Sequence, residues 1–347
     1  MSQTGAASAF GADGIRSIEL AVEEINEAGF VVGDTTYTFD LQIADLQTDA
    51  NLAAPLAQEL VVGFGATILF GPDLSGAVDP VVNVVQRQGD TLLMSVATKL
   101  DDYVGQGTPI FRTTVPDSVL MDQGYIPAIA REFPDIDQIA FVMPDDALAQ
   151  DLVSAYVPAF EAVGIEVVQT ELFAPETADF LPVMQRISSD VDAIFYGYNN
   201  DGRAASVIDA ALEVGLPARF ITRGVSSLPG DQRRDDLELY TWTILGDDPA
   251  FPSSPEVGDW LDGFADRFGL DRAAVTWFPF SHYDYVYALV AAMQEAGTVE
   301  DVEAIGDALR GSTYEGVVTV VYDEDGINQS PTFVGILENG EARVVES

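Results

Sequence analysis

Short apolar runs alternate along the chain with segments whose apolar residues recur every three or four positions. Runs of four to eight apolar residues bounded by turn residues predict strands, and the wider spacing predicts amphipathic helices. Ile15, Ile18, Val22 and Ile25 share one helix face, with Gly29 as the stop. Tyr37, Phe39, Leu41 and Ile43 alternate with polar neighbours and predict a strand; a polar loop at 45–51 then leads to a helix carrying Leu56, Leu60 and Val61. The apolar run 66–70, the loop 71–76 and a helix with Val78, Val81, Val82 and Val85 on one face follow, and strand 91–94 with its loop 95–98 repeats the pattern. A second series begins near residue 117, with strands expected at 138–143, 166–171, 193–198 and 219–222 and helices at 148–163, 181–187 and 203–214. A helix at 283–296 precedes strands at 317–322 and 331–337, separated by the turn Asp323-Glu324-Asp325-Gly326. Strand and helix in alternation predict an α/β fold, a mostly parallel sheet with helices on both faces. At 347 residues the chain exceeds the size at which one core stops growing, so two lobes are expected.

Composition narrows the functions open to such a fold. There are 57 Asp plus Glu against 15 Lys plus Arg, a formal net charge of -42, and Lys99 is the only lysine. That balance repels phosphate backbones and anionic membranes, and the arginines form no stripe, so nucleic acid is not an expected partner. It is also the surface of a protein adapted to concentrated salt, where screening suppresses self-repulsion. With no cysteine and one histidine, thiolate catalysis and Cys-ligated metal sites are excluded, no metal or cofactor is expected, and no Asp/Asn spacing matches a calcium loop. No apolar stretch reaches the roughly 18 residues a membrane span needs, and no export signal opens the chain. An α/β-hydrolase would need a glycine-flanked nucleophile elbow, which Ser75 lacks, and no glycine loop fits a dinucleotide site, so an enzyme is not expected.

Several separated stretches together resemble the periplasmic (type I) substrate-binding proteins of ABC transporters, of the branched-chain amino acid (Leu/Ile/Val-binding) family. They are the first helix end 21–29, Phe70-Gly71-Pro72-Asp73-Leu74-Ser75, Arg112-Thr113-Thr114-Val115-Pro116-Asp117-Ser118, Asp122-Gln123-Gly124, Tyr196-Gly197-Tyr198, Tyr283-Asp284 and Tyr314-Glu315-Gly316-Val317. The resemblance spans essentially the whole chain. It implies two Rossmann-like lobes joined by three crossovers, near 115–117, 246–249 and 332–334. Lobe one would comprise 1–115 plus 248–332, and lobe two 116–247 plus 333–347. It implies an extracytoplasmic monomer that closes on a small polar ligand, an amino acid, amide or carboxylate-bearing relative, and delivers it to the permease subunits of an importer. The alternative is a receptor domain of the same fold read by a signalling partner. The family's first buried strand lies ahead of the segment matching 1–11 and is missing from lobe one here; an internal start that also removes an export signal is the expected cause.

Candidate binding residues sit at the carboxyl ends of expected strands, where open α/β sheets bind ligands. Ser75 joins a strand to a helix N-terminus and offers a hydroxyl and free backbone N–H groups to a carboxylate, or else is a plain N-cap. Val96, through its backbone, and Thr98, through its hydroxyl, occupy the next loop; in the resembled family these positions contact the ligand's carboxylate and amino group. The resemblance also places Phe10, and either Phe278 or Trp277, on the cleft, and the cluster Trp277-Phe278-Pro279-Phe280 holds too many apolar groups for all to point inward. Tyr198, Asn199 and Asn200 follow a strand of the second series and offer polar partners, with loop capping as the alternative. Where amino-acid-binding relatives place a glutamate for the ligand ammonium, this chain has Arg223, and where they place an aromatic it has Leu148. A bare arginine would favour an anionic ligand group and oppose an ammonium, unless Asp145 or Asp146 restores that site. The lone His282 is expected to be structural.

Overall fold

Apolar residues on alternate positions of one strand series enter two different cores, and this organises the larger sheet. The computed structural model describes residues 1–5, 8–145, 147–197, 203–223, 236–245, 247, 249 and 252–346. In chain order the elements are α1 (Ser8–Ala28), β1 (Phe30–Val32), β2 (Thr35–Tyr37), α2 (Ala53–Gln58), β3 (Ile68–Phe70), α3 (Val78–Gln88), β4 (Leu92–Ser95) and β5 (Ile110–Arg112). There follow α4 (Asp117–Asp122), α5 (Tyr125–Glu132), β6 (Gln138–Pro144), α6 (Ala147–Ala162), β7 (Glu166–Phe173), α7 (Leu181–Met184), β8 (Ala193–Tyr196), α8 (Ala204–Glu213), β9 (Arg219–Thr222) and β10 (Leu239–Leu245). The last are α9 (Pro255–Phe268), α10 (Phe278–Ala296), α11 (Val302–Leu309), β11 (Thr313–Glu315), β12 (Thr319–Val321), β13 (Thr332–Glu338) and β14 (Glu341–Glu346). Two compact units result, Met1–Pro116 with Pro252–Pro331, and Asp117–Phe251 with Thr332–Ser347.

The second unit holds a seven-stranded sheet in the order β14-β13-β10-β9-β8-β6-β7. β10, β9, β8, β6 and β7 are parallel, while β13 and β14 add antiparallel at one edge. Ala140, Val142, Ile194, Phe220 and Trp242 face one core with Val183 of α7 and Val207 of α8. Their neighbours Phe141, Met143, Phe195 and Ile221 face the opposite core with Ile129 of α5 and Phe160 of α6. A strand covered on both faces is apolar at nearly every position, which is why these segments read as near-continuous runs. Phe195 lies 4.5 Å from Phe141 and 5.6 Å from Phe160 between ring centroids, and each such buried side chain contributes about 1.5–3 kcal/mol.

β10 was not anticipated. Its Tyr240, Trp242 and Ile244 alternate with Thr241 and Thr243, and the threonines are as buried as the aromatics; β13 pairs with the strand along its whole length and β9 along 239–241. Gly335 of β13 lies opposite Trp242, and a Cβ there would fall 2.0 Å from the indole ring, so only glycine fits.

The first unit carries a three-stranded parallel sheet, β3-β4-β5, among the described residues. Leu69, Leu93 and Ile110 pack with α3 through Val78, Val81 and Val85, while Leu92, Met94 and Phe111 pack with α1, α10 and α11. The strand expected over 37–43 differs: only Thr35–Tyr37 forms a ladder, antiparallel to β1, and residues 38–44 have none. A period of two is necessary for a strand but needs a neighbour to bond, and here the side chain of Asn26 stands in, bonding both Phe39 N–H (2.7 Å) and Phe39 C=O (2.8 Å).

Candidate ligand-binding site

In the first unit the chain leaves β3 at Phe70 and turns through Gly71, whose φ of 113° favours glycine. Gly71 N–H bonds Met94 C=O, and Ser95 Oγ donates to Pro72 C=O while accepting Ala97 N–H, so the loops after β3 and β4 brace each other. Asp73 accepts from Ser2 N–H at 2.8 Å and from Ser2 Oγ at 3.1 Å, tying this loop to the start of the chain. Ser75 opens a 3-10 turn, Ser75–Ala77, that leads into α3. The two cap positions belong to Leu74 and Ala77, so the Ser75 hydroxyl is exposed and caps no helix. The N-cap alternative for Ser75 is therefore not realised.

Val96 is half-buried and its carbonyl accepts from Thr114 Oγ1 at 3.1 Å. Thr98 starts the next 3-10 turn, Thr98–Asp102, and its side chain lies outside the described set. These three positions occupy neighbouring strand-end loops of one parallel sheet. Phe10 of α1 is half-buried with its ring 5.3 Å from Phe278, which is stacked on His282 at 4.8 Å and 10°.

All four residues of the cluster Trp277-Phe278-Pro279-Phe280, part of which was expected to line the cleft, are buried. Phe278 and Phe280 are two positions apart on α10 and project to opposite sides of it. Phe278 meets Phe10 and the Gly14 backbone of α1, while Phe280 meets Trp260 of α9 at 5.5 Å, so the first turn of α10 is packed from both sides. Trp277 is the N-cap residue of α10 and makes no side-chain cap bond; its buried Nε1 has no hydrogen-bond partner. His282 bonds Phe278 C=O through Nδ1 (2.9 Å), and burial pushes its pKa down to about 4, so it is a neutral packing residue at neutral pH.

In the second unit the loops after β6, β8 and β9 carry the expected positions. Tyr198, Asn199, Asn200 and Asp146 lie outside the described residues, as does the side chain of Leu148 in the first turn of α6. Asp145 is exposed at the end of β6, with its N–H on Phe173 C=O. Arg223 follows β9 and is not a bare cation. Its Nε donates to Asp117 Oδ1 at 2.8 Å and a terminal nitrogen to Asp117 Oδ2 at 2.6 Å, a bidentate pair with side chains 19% and 17% exposed. Tyr156 of α6 donates its hydroxyl to the same Asp117 Oδ1 at 2.7 Å. Burial alone would lower the Arg223 pKa, but the Asp117 charge and hydrogen bonds outweigh it and raise the pKa; burial raises Tyr156 well above the usual tyrosine value. Arg223 is therefore one half of a neutral, bidentate ion pair and not the bare cation considered from the sequence.

Asp117 and Tyr156 are the partners that sequence inspection missed. They stand 106 and 67 positions from Arg223, and no local signal joins them.

A family model described as periplasmic binding protein matches residues 1–341. The Leu/Ile/Val-binding protein BraC3 of Rhizobium johnstonii is 27% identical over 344 residues, covering 95% of this chain and 88% of its own. Among solved structures, a branched-chain amino acid transporter substrate-binding protein from Streptococcus pneumoniae, in complex with isoleucine, superposes with a TM-score of 0.76 at 20% identity, covering 99% of this chain and 97% of its own. A solute-binding protein of an ABC transporter from Rhodopseudomonas palustris HaA2, in complex with p-hydroxybenzoic acid, gives a TM-score of 0.80 at 20% identity over 99% and 94%. These likenesses show a shared α/β fold.

Proposed function

Because the chain belongs to the periplasmic binding protein family, we propose that it is an extracytoplasmic solute-binding protein that delivers a small carboxylate-bearing molecule to an ABC importer. The observation that carries this is the loop after β3. It presents the exposed Ser75 hydroxyl at a strand end, on a turn held by Asp73 and Ser95, with that hydroxyl used for no helix cap. Such a braced turn supports recognition of a carboxylate by a hydroxyl and backbone N–H groups.

Within the second unit, the neutral Arg223–Asp117 pair leaves neither a free cation nor a free carboxylate at that strand end. Aliphatic amino acids and aromatic acids are both compatible with that. The relatives point the same way: one is a Leu/Ile/Val-binding protein and one solved neighbour holds p-hydroxybenzoic acid. The test is a thermal-shift screen at high salt over leucine, isoleucine, valine, benzoate, 4-hydroxybenzoate and short carboxylates, followed by calorimetry. A ligand at 100 times its Kd stabilises the folded state by about 2.7 kcal/mol, an easily resolved shift. If no carboxylate in this set stabilises the protein, the assignment is wrong.

A further inference from the structure

Ser95 and Arg112 form the last ladder pair of β4 and β5, and beyond them Thr113 and Thr114 bond to three other parts of the first unit. Thr113 N–H donates to Ser95 C=O at 2.9 Å, and Thr114 Oγ1 donates to Val96 C=O at 3.1 Å. Thr113 C=O accepts the Tyr285 hydroxyl of α10 and Asn328 Nδ2 at 2.6 Å, and the same Nδ2 donates to the Tyr285 hydroxyl at 3.2 Å. Asn328 Oδ1 accepts Ser330 N–H at 2.7 Å, which fixes the amide. Ser95, Thr113, Tyr285 and Asn328 are each no more than 2% exposed, so water cannot replace these bonds and each one lost leaves a buried polar group unpaired.

From Ser95 the bonds continue into the candidate site. Ser95 Oγ donates to Pro72 C=O and accepts Ala97 N–H, so the turn leading to Ser75 and the loop holding Val96 are both fastened to it. An unbroken run of hydrogen bonds thus joins Asn328, through Thr113 and Ser95, to Pro72, three residues before Ser75. The Thr113 side chain takes no part in it. Its Oγ1 is buried without a hydrogen-bond partner among the described residues, so the link runs through the backbone. An asparagine suits the far end because its amide donates to one backbone group and accepts from another, whereas an ionised aspartate of the same size only accepts.

We propose that Asn328, with the Tyr285 hydroxyl, is a positioning residue for the carboxylate site, holding the Ser75 turn and the Val96 loop through the Thr113 carbonyl. This rests on the reading of the Ser75 turn as a carboxylate site; Asn328 and Tyr285 act on it through the backbone and are not ligand contacts in that reading. Without its donors the buried Thr113 carbonyl is left unpaired, and segment 113–114 relaxes towards another partner. Ser95 and Val96 move with it, because Thr113 N–H and the Thr114 hydroxyl bond them. Bonds in series inside a low-dielectric interior strengthen one another, so the loss is felt along the run.

The experiment compares Asn328→Ala, Tyr285→Phe and Thr113→Val with the wild-type chain by amide hydrogen exchange. In the first two, the amides of Gly71, Ala97 and Thr113 are expected to exchange about tenfold or more faster relative to those of α11, which packs in the same core as Tyr285 and shares none of these bonds. Thr113→Val keeps the backbone bonds and should match the wild type. If Asn328→Ala does not fold, Tyr285→Phe, which removes one donor and keeps the ring, is read alone. Calorimetry with leucine and with 4-hydroxybenzoate should show about tenfold weaker binding in the same two variants and wild-type binding in Thr113→Val. Exchange at Gly71, Ala97 and Thr113 that rises no more than in α11, an equal effect from Thr113→Val, or wild-type affinity in both donor variants overturns the proposal. Absence of carboxylate binding by the wild-type chain also overturns it, and selective exchange at the three amides then shows that the carboxylate reading failed while the bonds do hold the loops.

Discussion

Breaking the Arg223–Asp117 pair tests whether it holds the second unit together as the geometry requires. Both bonds are charge-assisted and short, and the two side chains are about four-fifths buried. Arg223→Ala leaves a largely desolvated carboxylate whose remaining contacts include the Tyr156 hydroxyl. Removing one partner of a fully buried pair costs about 3–5 kcal/mol, and the residual exposure lowers that to roughly 2–3 kcal/mol here. Asp117→Asn should cost a similar amount, and the double variant much less than both together, giving a coupling energy of about 2 kcal/mol. The assay is urea denaturation of all four members of the cycle, with Trp260 and Trp277 replaced by Phe throughout so that Trp242 of β10 reports on the second unit. The coupling should persist in molar salt, since a buried pair is poorly screened, whereas the exposed Arg267–Glu23 pair should show almost none. Coupling below about 0.5 kcal/mol, or its loss in salt, would refute the assignment of this pair as a buried structural ion pair.

Asp284 on α10 accepts the N–H groups of Val317 (3.1 Å) and Val318 (2.6 Å), yet burial pushes its pKa from 3.8 up to about 7. Because the folded value is the higher one, its contribution is full below about pH 4 and is lost as pH rises through 7; the loss is at most ~4 kcal/mol, so urea denaturation should show wild-type stability falling relative to Asp284→Asn across that window. Gly335→Ala drives a methyl group into the Trp242 ring and should cost about 3 kcal/mol or more, seen as a lowered urea midpoint. Ser75→Ala should weaken ligand binding about tenfold by calorimetry while changing stability by less than about 0.5 kcal/mol, because the hydroxyl caps nothing. With a net charge of -42, Tm should rise between 0.1 M and 1 M NaCl as the screening length falls from about 10 to 3 Å; a flat response would count against salt adaptation.

Local periodicity was enough to locate most helices and the buried strands β6, β8 and β9, because a segment covered on both faces is mostly apolar and that preference is written residue by residue. The position of Ser75 between strand and helix was equally plain, since a strand end, a turn and a helix start are local events. Three features required the folded chain. β10 reads as mixed threonine and aromatic, and only the folded chain pairs it with β13 and β9 and leaves Thr241 and Thr243 buried. Residues 38–44 carry a strand-like alternation, yet a ladder needs a second backbone alongside, and only packing shows that the neighbouring space is a cavity. Arg223 looked like a charge for the ligand, and Asp117 neutralises it from 106 positions away. Periodicity is a property of one segment. Strand neighbours and ion-pair partners are properties of two, brought together only when the whole chain packs.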